Sequence, residues 1–356
     1  MSSVILDSFE IHNFRPFRHL KIKRLARVNL IVGKNNVGKT SLLEALYLYA
    51  HRGVPAMVIQ QLAARDEVSY FTEVKPQGAI EQGYDSVLAI RHLFYGHLNG
   101  SQHSIQLGPP NKSLCLSVVD EEPDLSGVGD PVLVVKREGE TKRYSLLRHF
   151  QGQLPPLTRA GIKNRCLFIP AQGLTNEEME ILWDNITLTD LEQEIVSALQ
   201  IIAPNVQALN FIMASRRSRV RIPKVKIEKF AKPIALGTMG EGMNRILGIA
   251  LGLVNAKDGM LLIDDVESGF HYSVLTDVLR LIFQMAARLN IQVFVTSHRW
   301  ECIDAFQIAA NENENVEGLL FSLRNKKGKP GEVVAILYEE EELEAIITPS
   351  ARIEVR

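Results

Sequence analysis

One octapeptide restricts this chain more than any other stretch. Gly33-Lys34-Asn35-Asn36-Val37-Gly38-Lys39-Thr40 fits G-x-x-x-x-G-K-[ST], and its flanks are those the pattern needs. Val28–Val32 reads as a short buried strand. Ser41–Tyr49 reads as a helix with Leu42, Leu43, Leu46 and Tyr47 on one side. The glycines let the backbone curl until its N–H groups face an anion. The helix start adds unpaired N–H groups and the positive end of a dipole. This is a phosphate cradle running from Gly33 to Ser41. Lys39 suits β- and γ-phosphates, and Thr40 suits a Mg²⁺ ion.

Composition narrows the remaining choices. The 356 residues carry a formal net charge of −1, with 46% apolar and 23% charged residues. That is an ordinary globular balance, and overall charge gives no sign of a polyanionic partner. Cys115, Cys166 and Cys302 are far apart and suggest neither a disulfide framework nor a metal spacing. No grouping of His and Cys along the sequence points to zinc. The start MSSVILDSFEIHNF lacks a basic-then-apolar signal pattern, and the apolar runs fall short of a membrane span. A reducing cytoplasm is the expected setting.

Along the chain, two strands turning near Asn13-Phe14-Arg15-Pro16 are expected over 4–24. Residues 53–98 read as mostly helical, with 58–64 and 86–98 the better segments. Strands are expected at 103–107 and 113–119, then a surface loop at 120–131. A hairpin follows, Val132–Arg137 and Thr141–Ser145 around Glu138-Gly139-Glu140, and then a strand at Cys166–Ile169. Thr175 and Glu178 form a capping box ahead of a helical stretch reaching 202. In RSRVRIPKVKI, residues 217–227, basic residues alternate with aliphatic ones. A strand there puts Arg217, Arg219, Arg221, Lys224 and Lys226 on one side. That side is either a solvated face or a nucleic-acid contact.

The last third returns to chemistry. Gly237, Gly240 and Gly242 precede a helix carrying Ile246, Leu247, Ala250, Leu251 and Val254. Met260–Ile263 is wholly apolar and runs into Asp264-Asp265-Val266-Glu267. Tyr272–Leu289 is an amphipathic helix. Ile291–Val295 is another apolar strand, ending in Thr296-Ser297-His298. Apolar strands separated by helices predict a parallel sheet covered on both faces. Weaker strands at 318–324 and 333–337 follow. Asp264, at a strand end, is the expected second Mg²⁺ ligand. Asp265 and Glu267 compete as the general base that activates water, and His298 can hold that water or report the terminal phosphate.

Together these motifs resemble the head domains of RecF-type, structural-maintenance-of-chromosomes (SMC) and overcoming-lysogenization-defect ATPases, the last most of all. The resemblance is carried by FEIHNFRPFRHLKIKRLARVNLIVGKNNVGKTSLLEAL, by the glycine signature around 236–242, by LLIDDVESGFH and by VTSHR. It implies an α/β phosphate-loop NTPase of the ABC-ATPase head type. Such a head has a mixed sheet core, an antiparallel N-terminal β subdomain and a second lobe of helices and strands. Residues 1–52 and 233–338 would form the nucleotide-binding core, and 53–232 an inserted lobe. The cofactors implied are ATP and Mg²⁺. Met239, Gly240, Glu241 and Gly242 would meet nucleotide across a head-to-head homodimer, and Asp265 stands where the family has a catalytic Glu. Gln60, Gln61 and Gln172 are candidates for the lobe glutamine. The family's nuclease domain has no counterpart, so an effector or nuclease would be a separate protein, and DNA or RNA handling or phage defence is the implied setting. A slow, scaffold-like ATP binder and a transporter ATPase subunit are the alternatives.

Overall fold

The computed structural model describes residues 4–74, 80–85, 89–97, 103–120, 131–145, 166–214, 220–326, 329 and 332–338. The chain opens with a hairpin, β1 (Phe9–Phe14) and β2 (Phe17–Ile22), then β3 (Val28–Val32), α1 (Lys39–Ala50) and α2 (Pro55–Ala63). A second hairpin, β4 (Ser69–Val74) and β5 (Ile80–Asp85), precedes β6 (Ile105–Gly108), β7 (Leu114–Asp120), β8 (Pro131–Arg137) and β9 (Glu140–Ser145). Next come β10 (Cys166–Ile169), α3 (Asn176–Asp184), α4 (Leu191–Gln200), β11 (Val206–Met213), β12 (Arg221–Ile227) and the two-residue β13 (Ile234–Ala235). The remaining elements are α5 (Glu241–Asn255), β14 (Met260–Ile263), α6 (Tyr272–Arg288), β15 (Gln292–Ser297), α7 (Trp300–Asn311), β16 (Gly318–Asn325) and β17 (Val333–Tyr338).

Two six-stranded sheets organise these elements. The core sheet has the order β10-β14-β15-β3-β16-β17, parallel throughout except for β17. Every residue of β3, β14 and β15 is buried, as strands covered on both faces must be. Their side chains alternate between two cores. Leu30, Leu261 and Val293 point into one, with α5, α6 and α7. Ile31, Leu262 and Phe294 point into the other, with α1 and the antiparallel sheet β2-β1-β6-β7-β8-β9. The second lobe sets α3 and α4 against the three-stranded sheet β11-β12-β13. The architecture is therefore the mixed core, antiparallel N-terminal subdomain and helix-plus-strand lobe of an ABC/SMC-type head.

Register fixes what the sheet presents. Val32 lies opposite Ser297 and Ser322, Ile263 opposite Val295, and Ile169 opposite Ile263. The C-terminal ends of adjacent parallel strands thus bring Gly33, Pro170, Asp264 and Thr296 to one rim. Ligands of open α/β sheets bind at such a rim.

Two departures from the sequence reading concern helices outside this rim. In the span 53–98 the described residues, 53–74, 80–85 and 89–97, are not mostly helical, and of the expected segment 86–98, residues 86–88 and 98 lie outside the described residues. After α2 comes the β4–β5 hairpin, then single 3₁₀ turns at Ala89–Leu93 and Tyr95–His97. Tyr70, Phe71 and Thr72 are aromatic and β-branched residues that favour strand. The helical stretch 175–202 is two helices, separated where Leu188 takes a left-handed backbone at φ 64°. The capping box at Thr175 and Glu178 forms as expected. Of the loop 120–131, residues 121–130 lie outside the described residues. Among the described residues no helix is long and apolar enough to cross a membrane.

Candidate nucleotide site

The loop from Gly33 to Ser41 is shaped by its glycines. Gly38 caps α1 in a left-handed conformation, φ 107°, and a Cβ there would lie 2.7 Å from Phe17 Cζ and 3.0 Å from Pro16 Cγ. A Cβ at Gly33 would lie 2.6 Å from the Leu323 carbonyl oxygen. No other residue fits either position without displacing its neighbours. The first turn of α1 carries no acidic residue and no side-chain cap, which leaves its N–H groups for an anion. Lys39 is buried. Its Nζ donates to the carbonyls of Gly33 at 2.8 Å and Lys34 at 3.2 Å. Burial holds its pKa below the usual lysine range, against the pull of Asp265, Asp264 and Glu267.

Asp264 follows β14 and stands directly across from this lysine's helix. Thr40 Oγ1 donates to its Oδ2 at 2.8 Å, and Thr296 Oγ1 donates to its Oδ1 at 2.6 Å. Two residues 224 apart in sequence thus put a hydroxyl and a carboxylate side by side. Burial raises the Asp264 pKa, and hydrogen bonds from Thr296 and Thr40 only partly offset this. The donor set is all oxygen, as a Mg²⁺ ion prefers.

The next acids divide. Asp265 adopts a left-handed backbone, φ 43°, held by its N–H donating 2.8 Å to Thr296 Oγ1. Its carboxylate is one-third exposed and lies 3.3 Å from His298 Nδ1. Glu267 is buried. Its Oε1 accepts from Ser297 Oγ at 2.9 Å and from the His298 N–H at 3.0 Å, and lies 3.1 Å from His298 Nδ1. Its Oε2 is buried and has no protein partner. Asp265, Glu267 and His298 therefore converge, with Glu267 tied to the segment that carries the histidine.

Sequence reasoning gave no role to Arg245, one turn into α5. Its Nη2 donates to the carbonyls of Asp264 at 2.6 Å and Asp265 at 3.1 Å, and its Nη1 to that of Pro170 at 2.6 Å. Burial lowers its pKa to about 10 despite three nearby carboxylates. A lone arginine among the aliphatic residues of a buried helix was the available signal.

The glycine signature is open on its outer side. Gly240 is exposed at φ 102°, and an added Cβ there would meet nothing within 4 Å. Glu241 is exposed, whereas Met239 and Gly242 are half-buried. Of the three glutamines, Gln60 and Gln61 are buried on α2, and Gln61 Nε2 donates 2.8 Å to the Glu44 carbonyl. Gln172 is exposed in the loop leaving β10, one strand from Asp264. It lines an open cavity of about 510 Å³ with Glu241, Arg245 and Gly269.

The expected single basic side on 217–227 does not form. Arg217 and Arg219 lie outside the described residues. Arg221 shares strand parity with the buried Pro223, Val225 and Ile227, whereas Lys224 and Lys226 have the other parity. Arg221 is also engaged within the lobe, with Nη1 3.1 Å from Glu180 and 3.0 Å from Asp184. Lys226 is exposed and Lys224 half-buried.

Several known proteins resemble this chain. An AAA ATPase domain model matches residues 5–77, and an AAA-domain model described for an AbiEii toxin of a Type IV TA system matches 216–299. An "ATP/GTP phosphatase" of Helicobacter pylori is 21% identical over 87% of this chain and 90% of its own length. A DNA replication and repair protein RecF of Xanthomonas oryzae is 36% identical over 34% of this chain, which spans only 35% of RecF. An SMC head solved with the C-winged helix domain of ScpA has a TM-score of 0.50 at 12% identity, covering 95% of this chain and 99% of that one.

Proposed function

We propose that this ATPase-type domain of the AAA/ABC superfamily, related to RecF and SMC heads, hydrolyses ATP with Mg²⁺ and uses the cycle to close and open a head-to-head homodimer. The observation that carries the reading is the Thr40–Asp264 contact at 2.8 Å, with Asp265 and His298 paired beside it.

Thr40 and Asp264 would hold Mg²⁺, which supplies charge stabilisation when bound. Lys39 exchanges its two carbonyl partners for phosphate oxygens, and loop N–H groups from Gly33 to Ser41 take the rest. Water attacks the γ-phosphorus, the bond to the bridging oxygen breaks, and ADP leaves with phosphate. Asp265, the more exposed acid, accepts the water's proton. Glu267 already accepts from two donors and is the weaker base; it positions His298, which faces the terminal phosphate. Gln172 is the lobe glutamine of this reading. The open backbone at Met239–Gly242 is the surface offered to the second head's nucleotide. A cytoplasmic setting belongs to the same proposal, as does a nucleotide-binding core of 1–52 and 233–338, to which the segment 53–232 adds β10 and, through β6–β9, most of the antiparallel sheet.

Asp265 is one methylene shorter than the Glu expected there, which favours slow turnover and a second reading as an ATP-dependent scaffold for a separate effector. Phosphate release and particle mass with Mg·ATP, for wild type, Asp265→Asn and Glu267→Gln, decide between them. Turnover lost in Asp265→Asn, with the dimer retained, supports the hydrolytic switch. Dimerisation without phosphate release in the wild type selects the scaffold. A protein that binds no nucleotide rejects both. DNA or RNA as partner rests on the RecF likeness and Lys226, and a salt series of binding measurements tests it.

A further inference from the structure

The spacing of His and Cys along the sequence gives no zinc signal, yet the fold assembles one set of ligands on the outer face of the N-terminal hairpin. In the β1–β2 hairpin His12 stands directly opposite His19, and Glu10 opposite Lys21. Directly opposed residues on antiparallel strands have their Cβ atoms about 5 Å apart. Glu10, His12 and His19 share the outer face, and their neighbours Phe9, Ile11 and Leu20 are buried beneath. The two imidazoles stack with centroids 4.3 Å apart and planes 10° apart. Both turn the same nitrogen to the same oxygen: Glu10 Oε1 lies 2.7 Å from His19 Nε2 and 3.3 Å from His12 Nε2. One ligand atom from each of the three residues falls within 4.8 Å of the others.

We propose that Glu10, His12 and His19 form a surface site for a transition-metal ion of the zinc class, with a fourth position open to water. Three protein ligands of this kind, two imidazoles and a carboxylate, suit Zn²⁺ with bonds of about 2.0–2.2 Å, and tetrahedral ligands then lie roughly 3.3 Å apart. Glu10 Oε1 already lies near that spacing from both Nε2 atoms, so loading replaces the His19 hydrogen bond and tilts the stacked rings until their planes meet at the ion. Lys21 approaches the other oxygen, Oε2, at 3.8 Å. The ion would bridge β1 to the edge strand β2. Pro16 in their connecting turn and Phe17 at the start of β2 pack against Gly38 of the phosphate loop.

The test uses the full chain, free of any affinity tag and stripped with chelator, without nucleotide. Zn²⁺ is titrated calorimetrically, Co²⁺ is followed by its visible spectrum, and thermal unfolding is recorded with and without metal. The expected result is one equivalent bound, a tetrahedral cobalt spectrum and a raised Tm. His12→Ala and His19→Ala should each weaken binding by more than the roughly 10–100-fold that loss of an outer-shell partner costs. Both are solvent-facing substitutions, so unchanged metal-free Tm confirms a folded protein. Asp265, Glu267 and His298 are a second group with metal-ligand spacing. Binding that survives His12→Ala/His19→Ala and is lost in His298→Ala belongs there and overturns the proposal, as does the absence of any binding.

Discussion

Two buried acids flank the start of α1, and the chain treats them differently. Glu44, on α1, sits between two guanidiniums. Arg15 Nε lies 2.7 Å from Oε2 and Arg65 Nε 2.7 Å from Oε1, and Glu67 closes the network 2.8 Å from Arg15. Asp264 has two hydroxyls as its direct side-chain donors. Burial raises the pKa of both carboxyls, and at Glu44 it outweighs even the arginines. The difference lies in what can relieve each charge. Glu44 is matched by protein cations and ties the β1–β2 turn, α1 and the end of α2 together. Asp264 has hydroxyl partners that leave its charge open to an incoming cation.

The sharpest way to break this contrast is to remove one side of the matched pair. Arg15→Ala should destabilise the fold by about 3–5 kcal/mol, because a buried carboxylate loses the more buried of its two cationic partners. Denaturant unfolding measures it, and a loss under about 1 kcal/mol would show Glu44 to be protonated in the native state. Lys39→Ala acts on the other side. It should leave stability nearly unchanged and cost about 3–4 kcal/mol of transition-state stabilisation, roughly 10²–10³ in turnover. Steady-state ATPase rates against Tm separate the two.

Asp264→Asn sharpens the comparison further. Ligand at about 100 times Kd stabilises a protein by about 2.7 kcal/mol. The variant should lose most of that Mg·ATP-dependent gain while its ligand-free stability holds or rises. A thermal shift with and without Mg·ATP reads both quantities. Titration separates Asp264 from its surroundings by sign. Its folded pKa is raised, so it binds more protons folded than unfolded, and acidification toward that pKa adds stability. His51 runs the other way. Buried against Tyr47 and the Cys166 carbonyl, it has a folded pKa lowered from 6.5 to about 4. Its contribution is complete above pH 6.5 and is lost as pH falls toward 4, at up to about 1.4 kcal/mol per pH unit. His51→Gln should flatten that slope in urea melts at stepped pH. The smallest effect belongs to Arg221→Ala, whose half-exposed ion pairs with Glu180 and Asp184 are worth about 0.2–1 kcal/mol.

What was legible in the sequence follows from the distance over which each feature is determined. Strand, glycine loop and helix at 28–50 are set by neighbours, and β3 and α1 fall where the pattern puts them. The apolar runs of β14 and β15 announced a doubly covered parallel sheet, and that sheet is present. The pairing of Thr40 with Asp264 could be anticipated only through motif resemblance, since no local rule spans 224 residues. Features that depend on strand register were not readable. The basic residues are a different case: their change of parity between Arg221 and Lys224 stands in the sequence itself, and an unbroken strand divides them between two faces. His12 and His19 meet only because the turn between them sets their strands in that alignment. Arg245 was passed over because its partners are main-chain carbonyls, which leave no mark in a sequence.

The three oxygens held by Arg245 have a mechanical consequence. One planar side chain joins the helix that begins at the exposed glycines to two neighbouring strand ends, with no slack loop between. Any tilt of that helix pulls directly on the main chain beneath Asp264 and Asp265. The alignment of the acidic pair is therefore geared to the posture of a surface segment outside the phosphate loop.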